Sequence, residues 1–201
     1  MATYNLATIT QKIYNSGFVL FHTKTLKDIL EIEKKSGLFS IIKKLTKAGV
    51  LLKIEKNKYL LKEKNVKDFT LANFLYQPSY ISFESALNFY GIISQFPYEI
   101  SSATTKKPVK KQFQNKIFTY THIQKNLSWG YEKKDGFIIA SPEKALLDQL
   151  YLSSKGYKKI NLDECDFANI NKSKLKKYLK QFPSTRQFQN IIKDLKKYLK
   201  I

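Results

Sequence analysis

Apolar positions in the first sixty residues recur at helical spacing and then switch to strand spacing. Leu6, Ile9 and Ile13 predict a helix over about 7–16, ended by Gly17. Leu26, Ile29 and Leu30 form the stripe of a second helix. Its start is expected at Thr25, with Asp28 three residues on in a capping-box pattern. A third helix is expected from near Ser36, with Leu38, Ile41, Ile42 and Leu45 pointing inward and Gly49 at its left-handed C-terminal stop. The runs V-L-L-K-I-E (50–55) and K-Y-L-L-K (58–62) then alternate around Lys56-Asn57, the pattern of a tight hairpin. Helix, helix, glycine stop and hairpin, in that order, predict a winged helix-turn-helix.

The charged connector K-E-K-N-V-K-D (62–68) places a boundary there, giving one domain over 1–66 and a second over 67–201. The second domain is expected to open with a helix near 69–76, stopped by Pro78. Ser82 is read as the cap of a helix closed by Gly91. Residues 98–105, 116–123 and 136–140 read as strands, with K-K-P-V-K-K-Q (106–112) as a basic loop between the first two. Ser141 caps a further helix, with Pro142 at its first position and Glu143 near the positive dipole end, running to about Leu152. Two amphipathic helices follow, over 172–182 and 187–200, within a basic helical tail spanning 155–201. The fold class is therefore α+β: a winged helix-turn-helix, a mixed α/β C-terminal domain and a helical tail.

Charge sharpens this picture. The 201 residues carry a formal charge of +20, which favours a polyanionic partner. Its distribution is uneven: net +8 over residues 1–68, +3 over 69–154 and +9 over 155–201. The middle reads as packed core. Of 36 basic residues only Arg186 is arginine, so contacts to phosphates and DNA shape are expected to outweigh base readout through arginine forks. No apolar run approaches the roughly 20 residues needed to cross a bilayer. The first twelve residues show no signal-peptide pattern, so a cytoplasmic location without membrane attachment is expected. A lone Cys165 forms no internal disulfide and suits a reducing compartment.

The candidate chemistry is binding rather than catalysis. On the third helix Ser36, Ser40, Lys43 and Lys47 lie on one line opposite the apolar stripe, with Lys44 beside it and Lys34 and Lys35 at the N-terminus. The hairpin adds Lys53, Lys56 and Lys58. A helix in a major groove needs such polar and cationic side chains outward, and backbone N–H groups near phosphates. A second basic surface is formed by Lys106, Lys107, Lys110 and Lys111, with Lys176, Lys177, Lys196 and Lys197. Phosphate-loop, dinucleotide and zinc-protease motifs are absent, and two His with one Cys give no metal spacing, so neither catalytic residue, metal nor cofactor is expected. His22 and His122 read as structural. Glu143 and Asp148 lie five apart and diverge. The aromatics of residues 76–137 are read as core rather than as a base-stacking platform.

The strings Y-I-S-F-E-S-A-L-N-F-Y-G (80–91), A-T-T-K-K (103–107), F-T-Y-T-H-I (118–123) and I-A-S-P-E-K-A-L-L-D (139–148) together resemble the AbiEi-type antitoxin and transcriptional-regulator family. The resemblance covers roughly residues 5–150. It implies a winged helix that binds inverted repeats in double-stranded promoter DNA, and so represses its own operon. It also implies a C-terminal domain that helps neutralise a nucleotidyltransferase toxin encoded alongside. Such systems are described as type IV, in which antitoxin and toxin need not form a stable complex. The S-P-E-K-A-L-L-D segment reads as structural. Lysines stand in the wing, at Lys56 and Lys58, where members of the family often carry arginine. The rival reading is an RNA- or toxin-binding module working through the basic C-terminal helices, with the winged helix as scaffold.

Overall fold

A computed structural model describes residues 5–200. The first four residues, on which the reading of a leaderless N-terminus partly rests, lie outside them. The structure is mixed α+β and divides into two compact units, Met1–Lys67 and Asp68–Ile201.

The first unit contains α1 (Leu6–Asn15), β1 (Leu20–His22), α2 (Thr23–Leu30), α3 (Lys35–Lys47), β2 (Leu51–Glu55) and β3 (Lys58–Leu61). The strands form an antiparallel sheet in the order β1-β3-β2. Its core is the expected apolar stripe: Ile9 and Ile13 from α1, Leu26 and Leu30 from α2, and Leu38, Ile41, Ile42 and Leu45 from α3. These close on Phe21, Leu51, Tyr59 and Leu61 of the sheet. Burying each large apolar side chain stabilises by about 1.5–3 kcal/mol, so this small cluster outweighs any surface contact in the unit. Helix α3 ends in a Schellman motif. The Val50 amide donates to the Leu45 carbonyl (2.9 Å) and the Gly49 amide to the Thr46 carbonyl (3.1 Å). Gly49 takes φ +75°, which a residue bearing a Cβ adopts only with strain.

Two expectations need correction here. Helix α2 begins at Thr23 rather than Thr25, with His22 at the cap position and no side-chain cap, so Thr25 and Asp28 form no capping box. Strand β1 was not expected. Three residues carry too little periodicity to read, yet Leu20, Phe21 and His22 pair with Leu60, Tyr59 and Lys58. The Thr23 amide then donates to the Asn57 carbonyl (3.0 Å), tying the start of α2 to the hairpin tip.

The second unit is built on a six-stranded mixed sheet in the order β6-β7-β5-β4-β9-β8. The strands are β4 (Ser79–Ile81), β5 (Ile100–Thr104), β6 (Val109–Phe113), β7 (Lys116–His122), β8 (Tyr131–Lys134) and β9 (Phe137–Ala140). The pairs β4–β9 and β5–β7 are parallel and the rest antiparallel. Helix α4 (Asp68–Leu75) covers one face, where the Tyr120 hydroxyl donates to the Ala72 carbonyl (2.6 Å). Helices α5 (Phe83–Phe89) and α6 (Pro142–Ser154) cover the other, and α7 (Lys172–Leu179) and α8 (Arg186–Leu199) pack on α6. Residues 155–200 are thus part of this unit's packed body rather than an appended tail.

The basic loop expected over 106–112 is also corrected: its second half is β6, an edge strand in register with β7. Lysine pairs mask its alternation, which the burial pattern shows. Strands β4 and β8 were missed for similar reasons, being three residues long and a wholly exposed Y-E-K-K edge respectively. Ser82 precedes α5 but makes no cap hydrogen bond, because its hydroxyl is directed elsewhere.

The two glycines flanking the body of α3 predict opposite effects. Gly49→Ala is expected to cost about 1–2 kcal/mol through its left-handed backbone. Gly37, inside α3, would place a Cβ 3.7 Å from the Ile32 Cγ2, an ordinary contact. Gly37→Ala is therefore expected to stabilise by about 0.5–1 kcal/mol. Urea unfolding of the two variants measures both signs.

Candidate nucleic-acid interface

The stripe that buries Leu38, Ile41, Ile42 and Leu45 turns the opposite face of α3 outward. Lys35, Ser36, Ser40, Lys43, Lys44 and Lys47 are all exposed, as is Lys34 at the cap position. None of these lysines is held by an acid among the described residues. On the hairpin, Lys56 is exposed beside Asn57, whose φ of +63° makes the turn. Lys53 is exposed on β2 opposite Tyr59. Lys58 differs from the expectation: it is half-buried and tied to Glu55 at 2.6 Å, so it braces the hairpin instead of standing free at its tip.

A concavity runs between the start of α2, the start of α3 and the hairpin tip. Lys24 and Lys27 of α2, Lys35 of α3 and Lys56 of the hairpin line it, together with Thr23, Thr25, Phe39 and Asn57. Glu33 is the one acid in its wall. Sequence reasoning missed Lys24, because placing the start of α2 two residues late left it outside the helix, and Lys27, because the packing of α2 against the start of α3 and the hairpin is not read from spacing.

The helix starts add to this. Neither α2 nor α3 has a side-chain cap on its first-turn N–H groups. Helices α1, α6, α7 and α8 are capped by Asn5, Ser141, Asn171 and Thr185. Uncapped N–H groups at the positive end of the helix dipole attract anions. Both such ends contribute residues to the lysine-lined concavity. His22, at the same place, has its pKa lowered by burial and by Lys58, opposed by Glu55, so the imidazole is neutral near pH 7.

The second basic surface is less free. Lys110 pairs with Glu99, and Lys106 and Lys111 stand 5.5 Å from the Tyr76 ring. The Lys107 carbonyl accepts from the Tyr76 hydroxyl at 3.0 Å. Lys176, Lys177, Lys196 and Lys197 lie on the outer faces of α7 and α8, with Lys197 paired to Asp194 at 2.8 Å. Tyr80, Phe83, Phe118, Tyr120 and Phe137 are core, as expected, but Phe89, Tyr131 and above all Phe96, at 91%, are exposed. Burial first, then Glu164, push the Cys165 thiol up to about 11, which disfavours the thiolate.

The most unusual chemistry of the second unit was not read from the sequence. Lys144 and Asp148, one turn apart on α6, form an ion pair that is 0% and 1% exposed. Asp148 accepts from the Tyr80 hydroxyl (3.0 Å) and the Ser82 hydroxyl (2.9 Å), and the Lys144 ammonium donates to Tyr80 (3.0 Å). The rings of Trp129, Phe182 and Tyr80 surround the ammonium at 5.1–5.4 Å. Burial lowers the Lys144 pKa and raises that of Asp148, each opposed by its partner. Burial, followed by Asp148, raises Tyr80 well above its usual value.

Glu143 points elsewhere. Burial pushes its carboxyl up, but the Asn171 and Glu143 backbone amides, Lys174 and Ser141 outweigh this and hold it below the usual range. The two carboxylates therefore diverge, as their spacing implied. The available sequence signal was a lysine and an aspartate at i and i+4 in an otherwise apolar helix. Neither member of the pair reaches the surface, at 0% and 1% exposed.

No family model matches this chain, and no curated protein matches it in sequence.

The buried pair predicts a non-additive pattern. Lys144→Met or Asp148→Leu alone leaves one charge buried without its partner and is expected to cost about 3–5 kcal/mol. The double variant is expected to recover most of that loss. A double-mutant cycle by chemical denaturation measures the coupling.

Proposed function

We propose that this chain is a winged helix-turn-helix DNA-binding repressor that autoregulates a toxin–antitoxin operon and serves as antitoxin to a nucleotidyltransferase toxin. The observation that carries the DNA-binding half is the concavity in which two uncapped helix starts and the hairpin tip meet, lined by Lys24, Lys27, Lys35 and Lys56. In this reading α3 enters the major groove. Lys43, Lys44 and Lys47 reach phosphates along it, the starts of α2 and α3 hold the backbone, and the hairpin lies on an adjacent stretch as the wing. A duplex carries regularly spaced negative charge on two strands, which suits several separated cationic elements better than a single small anion does.

The antitoxin half rests on the resemblance of residues 80–148 to the AbiEi-type family. The S-P-E-K-A-L-L-D segment is consistent with a structural role in it: Ser141 caps α6, Pro142 opens it, and Ala145, Leu146 and Leu147 are fully buried. This reading expects a nucleotidyltransferase gene beside this one, and co-expression with its product tests this half. Loss of growth with the full-length chain present would overturn it.

Binding to DNA is expected to weaken steeply with salt. With about six phosphates neutralised, the slope of log K against log[salt] is about −5. Lys43→Ala/Lys47→Ala is expected to weaken binding and flatten that slope by about 2. Fluorescence anisotropy on a duplex from the region upstream of the gene measures both. An unchanged slope would remove α3 from the interface.

A further inference from the structure

Resting on the DNA-binding reading above, we infer that Phe39 reads the 5-methyl groups of thymine, so that the stretch of duplex facing α3 is selected for thymine. Phe39 is 40% exposed on α3, while the helix's other large apolar residues, Leu38, Ile41, Ile42 and Leu45, are 4% exposed or less. It lies three residues after Ser36 and four before Lys43, and so shares their outward face. It also lines the concavity with Lys24, Lys27, Lys35 and Lys56. Its exposed edge is therefore an apolar surface set among lysines and available to a partner.

The chemistry of base edges supplies one. In the major groove, guanine is matched by a bidentate Arg or Lys, adenine by Asn or Gln, cytosine by an acid, and thymine by an apolar group against its methyl. The exposed face of α3 offers Lys35, Ser36, Phe39, Ser40, Lys43, Lys44, Thr46 and Lys47. It has no Arg, Asn, Gln, Asp or Glu. Lysine is a flexible point charge that suits phosphates, and serine hydroxyls accept or donate to any base. The Thr46 hydroxyl is turned back to the Ile42 carbonyl at 2.9 Å. Phe39 is therefore the large apolar side chain of this face, matched to the methyl group that thymine alone presents.

Uracil provides the test, because it pairs as thymine does and lacks only the methyl. A duplex enriched from a randomised pool by the full-length wild-type protein is resynthesised with uracil at each thymine in turn, and Kd is measured against each version. At one or two positions in each half-site, wild-type binding is expected to weaken about fourfold, the worth of one methyl removed from water. Phe39→Ala is expected to bind these duplexes and their thymine parents equally, with an unchanged salt slope and an unchanged melting temperature. Salt-dependent binding by the wild type with no uracil effect, or the same uracil effect in Phe39→Ala, would overturn the methyl readout and leave DNA binding intact. Absence of any salt-dependent duplex binding would overturn both.

Discussion

The second unit depends on one buried charge pair. Lys144 and Asp148 can meet without water only because four separate elements complete them. Strand β4 brings Tyr80, the residue that follows it brings Ser82, the turn before β8 brings Trp129, and the segment after α7 brings Phe182. Gly130 follows from the same constraint. A Cβ there would stand 3.1 Å from the Lys144 Cγ, at a φ of +71°. A buried ion pair adds little net stability compared with an apolar pair of similar volume, because desolvation offsets the attraction. What it does is penalise alternatives. Any packing of α6 that leaves one member without its partner is several kcal/mol worse, so the pair fixes the register of α6 against the sheet and the position of the C-terminal helices over it.

The two units differ in where their ion-paired lysines lie. In the second, lysines are drawn into the structure: Lys144 inside it, Lys174 on Glu143, Lys110 on Glu99, Lys116 on Asp68 and Lys158 on Glu84. In the first, the pairs Lys12–Glu31 and Lys58–Glu55 leave the lysines of α3 untouched. The helix starts at the concavity are likewise uncompensated, since neither α2 nor α3 has a side-chain cap. Uncompensated charge and unsatisfied N–H groups on the same surface each carry a small cost in the free protein. Their coincidence at one concavity is what an anionic partner would relieve.

Much of this was legible along the chain, and the failures have physical causes. The three N-terminal helices, Gly49 and the hairpin could be read because burial there follows a single helical stripe and then a two-residue alternation. The short strands β1, β4 and β8 could not, since their pairing is fixed by distant partners and three or four residues carry no period. Ser82 was misread because a serine before a helix normally caps it, whereas here the buried Asp148 competes for the hydroxyl. The ion pair itself was hidden by the habit of reading a lysine and an aspartate as surface. The exposed α3 face was legible from spacing, but the place of Lys24 and Lys27 in the concavity depends on how α2 packs beside α3 and the hairpin. Lys58 was over-read, because proximity in sequence to the hairpin tip says nothing about capture by Glu55.

The near absence of arginine constrains how such an interface can discriminate. The single arginine, Arg186, opens α8 in the other unit, so the first unit has no planar fork for guanine. Lysines on phosphates give affinity that is almost independent of sequence, and one methyl contact is worth only about fourfold. On the proposed reading a single copy of this domain would bind with little selectivity. On the proposed reading, selectivity has to come from repetition: two copies on an inverted repeat multiply their discrimination and add the requirement of correct spacing. Groove shape adds to it wherever a stiff, thymine-rich tract narrows the groove in which the hairpin lysine lies. A surface so built favours an operator that is symmetric and rich in A·T pairs, because those are the features that methyl contacts, lysine charge and duplex shape can each sense.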